Sequence, residues 1–158
     1  MKDFITQANG AWFYNMSDTP LEGCGALIYA RSSNRYLFLL RNKSKYAGSW
    51  GIAGGKIESG ETVIQGLVRE IQEEIGVDYT NRKFIPLETF TADNHKFIYY
   101  TFVVATDNEF IPKLNDEHRG YCWVELNDHP RPLHPGLWRS FNFDIIKKKI
   151  KTLESILR

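Results

Sequence analysis

The spacing of apolar positions changes period several times along this chain, and each change marks a predicted element. The runs "GALIYA" and "RYLFLLR" flank the polar tetrad "RSSN", which predicts two strands joined as a hairpin. A glycine-rich loop follows, with Gly48, Gly51, Gly54, Gly55 and Gly60. Thr62, with Gln65 three residues on, is a capping-box start and Gly76 a stop, so a helix is expected over residues 62–75. The segments "KFIPLETF", "HKFIYYTFVVAT" and "YCWVEL" are strand-like by composition. From Leu137 to Leu157, Phe141, Ile145, Ile146, Ile150 and Leu153 recur at helical spacing and predict one closing amphipathic helix. Strands on both sides of a central helix, closed by a last helix, predict a single mixed α/β domain over residues 1–158.

The central helix carries two stripes. At about 100° per residue, Ile64, Leu67, Val68, Ile71 and Ile75 share one arc, the expected core face. Glu70, Glu73 and Glu74 fall on a neighbouring arc, with Gly66 in its middle and Arg69 at its edge. Like charges at this spacing repel. Clustered oxygen donors suit a hard divalent cation such as Mg²⁺, which takes few carboxylates and keeps room for water and phosphate. Gly66 is expected to let a metal-bound phosphate approach the helix. A solvated acidic face is the alternative reading of the glutamates taken alone.

Composition narrows the class without naming a partner. The chain has 158 residues, 42% hydrophobic and 25% charged, with net charge +1, which fits an ordinary globular domain rather than a disordered or strongly nucleic-acid-binding one. Residues 1–20 hold no long apolar run, so neither a signal peptide nor a membrane span is expected, and a cytoplasmic location is. Cys24 and Cys122 lack CxxC spacing and are expected to be reduced packing residues. No Walker loop, GxSxG, HExxH or GxGxxG is present, and the four histidines lack paired metal spacing. They are expected at surface, loop or substrate-contact positions.

One motif gives the glutamates a context. From Gly55 the chain reads glycine, five residues, Glu61, seven residues, then "REIQEEIGV", which satisfies the Nudix box GX5EX7REUXEEXGU at every specified position. The chain therefore resembles the Nudix hydrolase family, of MutT-like type. The resemblance implies an α-β-α sandwich around a mixed central sheet, with a catalytic loop-helix-loop and a C-terminal helix. It implies a Mg²⁺-dependent pyrophosphohydrolase, with Mn²⁺ as an alternative ion, that cleaves a nucleoside diphosphate linked to a further group X.

Roles carry over by position. Glu70, Glu73 and Glu74 match the metal-binding carboxylates, Glu70 foremost, and the Gly54 carbonyl matches a further ligand. Arg69 and Glu61 match an ion pair that orients the loop on the helix. Glu117 lies where the family often places a general base or extra ligand, with Asp116 its nearest rival. Lys56 either reaches phosphate or faces water; Arg41 and Trp50 are further candidate substrate contacts. Many relatives have proline where this chain has Ala53, a change of loop stiffness that touches no ligand.

The box does not set X. Nucleotide sugars, dinucleoside polyphosphates, nucleoside triphosphates and capped RNA all stay open. Tyr46, Trp50, Phe97, Tyr99 and Tyr100 are candidates for stacking a base, with core packing expected for at least half of them. The run Lys147–Lys151 is read as a solvated helix face. The "AWFYNM" cluster is expected to pack on its own core or on a second subunit, so a homodimer is left open. The competing function is a catalytically silent nucleotide-binding regulatory module on the same fold.

Overall fold

The computed structural model describes residues 19–158, so the "AWFYNM" cluster lies outside the described residues. Seven strands form one sheet: β1 (Leu21–Ala30), β2 (Arg35–Arg41), β3 (Trp50–Gly51), β4 (Ala53–Lys56), β5 (Phe84–Thr91), β6 (Phe97–Thr106) and β7 (His118–Val124). The main order is β3-β2-β1-β6-β5, with β4 paired to β1 and β7 to β2. β1 and β6 run parallel over ten residue pairs and the other neighbours are antiparallel, which makes the sheet mixed. Helix α1 (Val63–Ile75) covers one face; α2 (Pro135–Phe141) and α3 (Asp144–Leu157) cover the other.

The predicted hairpin forms, with Arg31–Asn34 as its turn and Tyr29 opposite Tyr36. β1 is buried over its last eight residues because both of its faces are covered. Alternate residues serve the two cores: Cys24, Ala26 and Ile28 pack with Leu67, Ile71 and Ile75 of α1. Leu27 and Tyr29 pack with Ile146, Ile150 and Leu153 of α3.

The glycine loop differs from expectation, since it contains β3 and β4. Gly54 and Gly55 pair with Gly25 and Cys24 through backbone alone. A strand built from glycine leaves no period-two pattern to read.

α1 starts at a complete capping box: Thr62 Oγ1 accepts from Gln65 N–H at 3.1 Å, and Gln65 Oε1 accepts from Thr62 N–H at 2.9 Å. Gly76 closes it in the left-handed conformation at φ 76°. Thr62→Ala removes one acceptor and is expected to cost about 1 kcal/mol, read as a lower urea midpoint. The core stripe is rotated from the predicted one: Val63 packs into the core, whereas Ile64 is exposed and Val68 half-buried.

The predicted closing helix is two helices. Asn142 ends α2 with its N–H on the carbonyls of Arg139 and Ser140, and Phe143 is extended at φ −91°, ψ 121° before α3 begins. The break resets the phase, so Ile145 is exposed and only Ile146, Ile150 and Leu153 are buried. In the Lys147–Lys151 run all four lysines are exposed, and Lys149 also donates to the Leu87 carbonyl at 3.1 Å. Cys24 is a buried free thiol and Cys122 a half-buried one. Among the described residues no helix is long and apolar enough to cross a membrane.

Candidate active site

The three glutamates of α1 occupy unlike environments. Glu74 is 5% exposed, and its Oε1 accepts from Gly54 N–H at 3.0 Å. Burial pushes its carboxyl up to about 8, with the charges of Glu70 and Glu117 adding and the Gly54 N–H opposing. Glu70 packs its carboxylate against Gly55, where a Cβ would stand 2.5 Å from Glu70 Cδ. Burial raises Glu70 as well; Arg69 opposes, and the Glu73 and Glu117 charges add. Glu73 is 54% exposed and meets Arg69 at 3.4 Å. Gly54 and Gly55 are thus a cradle in which both buried carboxylates rest on bare backbone.

Arg69 ties loop to helix. Its Nε and Nη2 donate to Glu61 at 2.7 and 3.0 Å, Nη2 also to the Lys56 carbonyl at 3.0 Å, and Nη1 to Glu70 at 3.1 Å. This fork and the Glu58 N–H hold Glu61 well below the usual carboxylate value of 4.5, at about 2. A depressed acid contributes stability above its unfolded value, and that contribution is lost as pH falls from about 4.5 through about 2. Urea midpoints of the wild type should fall more steeply across that window than those of Glu61→Gln. Gly66 is buried against Ile57 and Glu61, with a Cβ placed 3.4 and 3.1 Å from them. It serves the packing of loop on helix, not the approach of phosphate expected from sequence.

The loop before β7 separates Glu117 from Asp116. Asp116 pairs with Lys43 at 2.5 Å, whereas Glu117 is exposed, and its charge reaches Glu70 and Glu74. Its backbone is fixed on both sides: the N–H donates to Asn115 Oδ1 at 3.0 Å and the carbonyl accepts from Asn42 N–H at 2.9 Å. His118, expected at a surface, loop or substrate-contact position, is buried in β7 with Nδ1 unpartnered, and burial lowers it to about 4.

A cavity of about 450 Å³ opens beside this cradle, and Gly54 and Gly55 line it together with Arg41. Its aromatic wall is Phe90, Phe97 and Tyr99, with neighbouring ring centroids 6.4 and 6.2 Å apart. Tyr99 lies across β1 because Gly23 and Gly25 leave room; a Cβ at Gly25 would stand 2.4 Å from its hydroxyl. Arg41 Nη2 donates to Ser44 at 3.1 Å, and its Nε is buried without a partner. Of the aromatics named from sequence, Phe97 and Tyr99 line the cavity, and Tyr100 packs on the α1 face. Trp50 packs on the other core, its backbone bonded to Pro132 and His134, and does not line the cavity. Lys56 is exposed and outside the cavity lining, and Tyr46 meets the His134 ring at 4.6 Å. Glu88, Arg139 and Ser140, which also line the cavity, were not legible in the sequence as site residues.

In kind, the donors suit a divalent cation: carboxylate oxygens, with the Glu70 and Glu74 carboxyls both raised by burial first and by neighbouring acidic charge, that of Glu117 on both, after it. Among the described residues no three acidic, histidine or cysteine side chains yet converge at one point. Glu73 and Glu117, both exposed, are the ones with freedom to close the set.

Comparison with known proteins places this geometry. The family model described as NUDIX domain matches residues 21–144, spanning every strand and α1 and α2. The chain belongs to the NUDIX family. The nucleoside triphosphatase NudI of Escherichia coli is 33% identical over 98 residues, covering 55% of this chain and 69% of that relative. A MutT NUDIX hydrolase from Burkholderia pseudomallei superposes with a TM-score of 0.66 at 26% identity, over 82% of this chain and 98% of its own. The NUDIX domain of Shewanella oneidensis NrtR, solved with ADP ribose, superposes with a TM-score of 0.67 over 87% of this chain and 90% of its own. At 16% identity that likeness concerns the fold alone. The protein is a Nudix hydrolase, and the sheet with α1 on one face and α2 and α3 on the other is its sandwich.

Proposed function

We propose that this chain is a Mg²⁺-dependent pyrophosphohydrolase acting on a nucleoside diphosphate linked to a further group, with nucleoside triphosphates as the first substrates to test. One observation carries the reading: Gly54 and Gly55 touch the buried carboxylates of Glu74 and Glu70 and also line the aromatic cavity. A nucleotide seated in the cavity would therefore direct its phosphates toward the carboxylate helix. The similarity to a nucleoside triphosphatase supports the choice of first substrates.

Glu70, Glu73, Glu74 and the Gly54 carbonyl would hold the metal, with Glu117 an added ligand or the base. The ion would neutralise the diphosphate and lower the pKa of bound water. The chain's own residues do the rest. Arg41, with a buried unpartnered N–H at the cavity wall, would bind a phosphoryl oxygen. Arg69 holds the box loop on α1 and so sets where Glu70 sits. Glu117 would take the proton from the attacking water as the new P–O bond forms and the bridging P–O bond breaks.

The test is a panel of nucleoside di- and triphosphates, nucleotide sugars, dinucleoside polyphosphates, ADP-ribose and capped RNA, incubated with Mg²⁺ or a chelator and resolved by chromatography. Cleavage of a diphosphate bond in one class, abolished by the chelator, is expected. Nucleotide binding without any cleavage would favour the silent regulatory module instead.

A further inference from the structure

A bulge in β5 decides what faces the cavity. Phe84 and Pro86 stand opposite Val104 and Phe102, whereas Glu88 and Phe90 stand opposite Thr101 and Tyr99, because Leu87 is an extra residue between Pro86 and Glu88. The parity of the strand therefore reverses at Leu87. Leu87 stays in the core beside α3, and Glu88, which regular alternation would have sent to the α1 face, turns into the cavity. Bulges beside sites commonly re-aim a side chain in this way. The bulge is held in place, since the Leu87 carbonyl accepts from Lys149 at 3.1 Å.

Glu88 is then fixed from α2. Its Oε1 accepts from Ser140 Oγ at 2.5 Å and its Oε2 from Arg139 Nη2 at 3.1 Å, and the side chain, which lines the cavity, is 14% exposed. Arg139 is itself oriented by the Phe90 ring, 4.3 Å from Cζ, and the Phe143 ring, 5.2 Å away. A carboxylate offers about four lone-pair positions and a guanidinium five N–H donors, so each keeps capacity beyond this pair. The cavity thus presents an acceptor and a donor side by side, next to the aromatic wall formed by Phe90, Phe97 and Tyr99.

We propose that this pair makes the site selective for guanine nucleotides, Glu88 accepting from the base's N1–H and 2-amino group and Arg139 donating to O6. This rests on the nucleotide reading of the cavity given above. Guanine is the common base whose Watson–Crick edge sets one acceptor beside two adjacent donors. Adenine and cytosine would turn a ring-nitrogen lone pair toward the carboxylate, and uracil offers a single N–H between two acceptors. Bases are read in this manner where an aromatic wall stacks the ring and fixed polar groups meet its edge. Buried polar groups left unpaired by the wrong base reject it strongly.

The experiment is calorimetric binding of GDP, IDP, ADP, CDP and UDP with Mg²⁺ to the wild-type chain and to Glu88→Gln. GDP is expected to bind about ten- to a hundredfold more tightly than ADP, CDP or UDP, with IDP in between because it lacks only the 2-amino group. Glu88→Gln, which keeps one acceptor and replaces the other by a donor, should lose that preference. Equal binding of GDP and ADP by the wild type, or a preference that survives Glu88→Gln, overturns the proposal. Should the variant not fold, the GDP, IDP and ADP series on the wild type still decides. Binding separates this inference from the hydrolase reading: guanine-selective binding without turnover leaves the recognition standing and sinks the catalytic proposal. Turnover without base preference does the reverse, and no nucleotide binding at all overturns both.

Discussion

Glu70→Gln should fold like the wild type and lose turnover by about a thousandfold or more. The side chain is mostly buried, packed on Gly55 and bonded to Arg69, and glutamine keeps its shape and one oxygen to accept from the guanidinium. What it cannot keep is the charge that would hold a divalent ion beside a diphosphate. Glu73→Gln is the comparison within the same helix. Glu73 is exposed and its link to Arg69 is 3.4 Å long, so its loss should cost activity less steeply. Matched urea midpoints with this order of turnover, measured on the substrate the panel finds, would separate ligand loss from misfolding. Near-wild-type activity in Glu70→Gln would refute the assignment.

Gly54→Ala should be the most damaging small substitution in the box, because its obstacle is backbone. A Cβ at Gly54 would lie 2.1 Å from the Cys24 carbonyl oxygen and 2.6 Å from Gly25 Cα, and neither can swing aside as a side chain could. Relief requires β4 to leave β1 at the Gly25 and Gly54 pair, which also withdraws the N–H that Glu74 accepts. A stability loss of about 3 kcal/mol is expected, at the upper end for overpacked sites, with activity lost alongside it. Gly120→Ala is the control: its Cβ would make ordinary contacts of 3.6 Å with Leu40, and the urea midpoint should barely change. Equal midpoints for the two variants would show that the cradle is not rigid.

Much of this architecture could be read from side-chain periodicity, and the misses share a cause. The hairpin, α1 with both of its caps, and the long strands carry patterns that side chains write into sequence. β4 does not, because Gly54 and Gly55 pair by backbone alone. The break at Asn142 and Phe143 was hidden because Phe141 of α2 and Ile146, Ile150 and Leu153 of α3 serve the same core, and the exposure of Ile145 is what the reset phase leaves behind. The box located the acidic helix but could not distinguish a buried Glu74 from an exposed Glu73. Glu74 is turned onto the Gly54 N–H of β4, whereas Glu73 points away to Arg69 and solvent. Glu88 was the least legible of all, since a one-residue bulge decides which face it joins and a bulge leaves no mark on hydrophobic period.

The proposed divalent ion is held by α1 and the Gly54 cradle. The most direct test is Mn²⁺ binding followed by electron paramagnetic resonance, in which only free Mn²⁺ gives the strong six-line signal. The wild-type chain should quench that signal in proportion to protein, and a Glu70→Gln/Glu74→Gln double variant that still folds should not. Equal quenching by the two proteins would place the ion elsewhere and overturn the assignment of these glutamates.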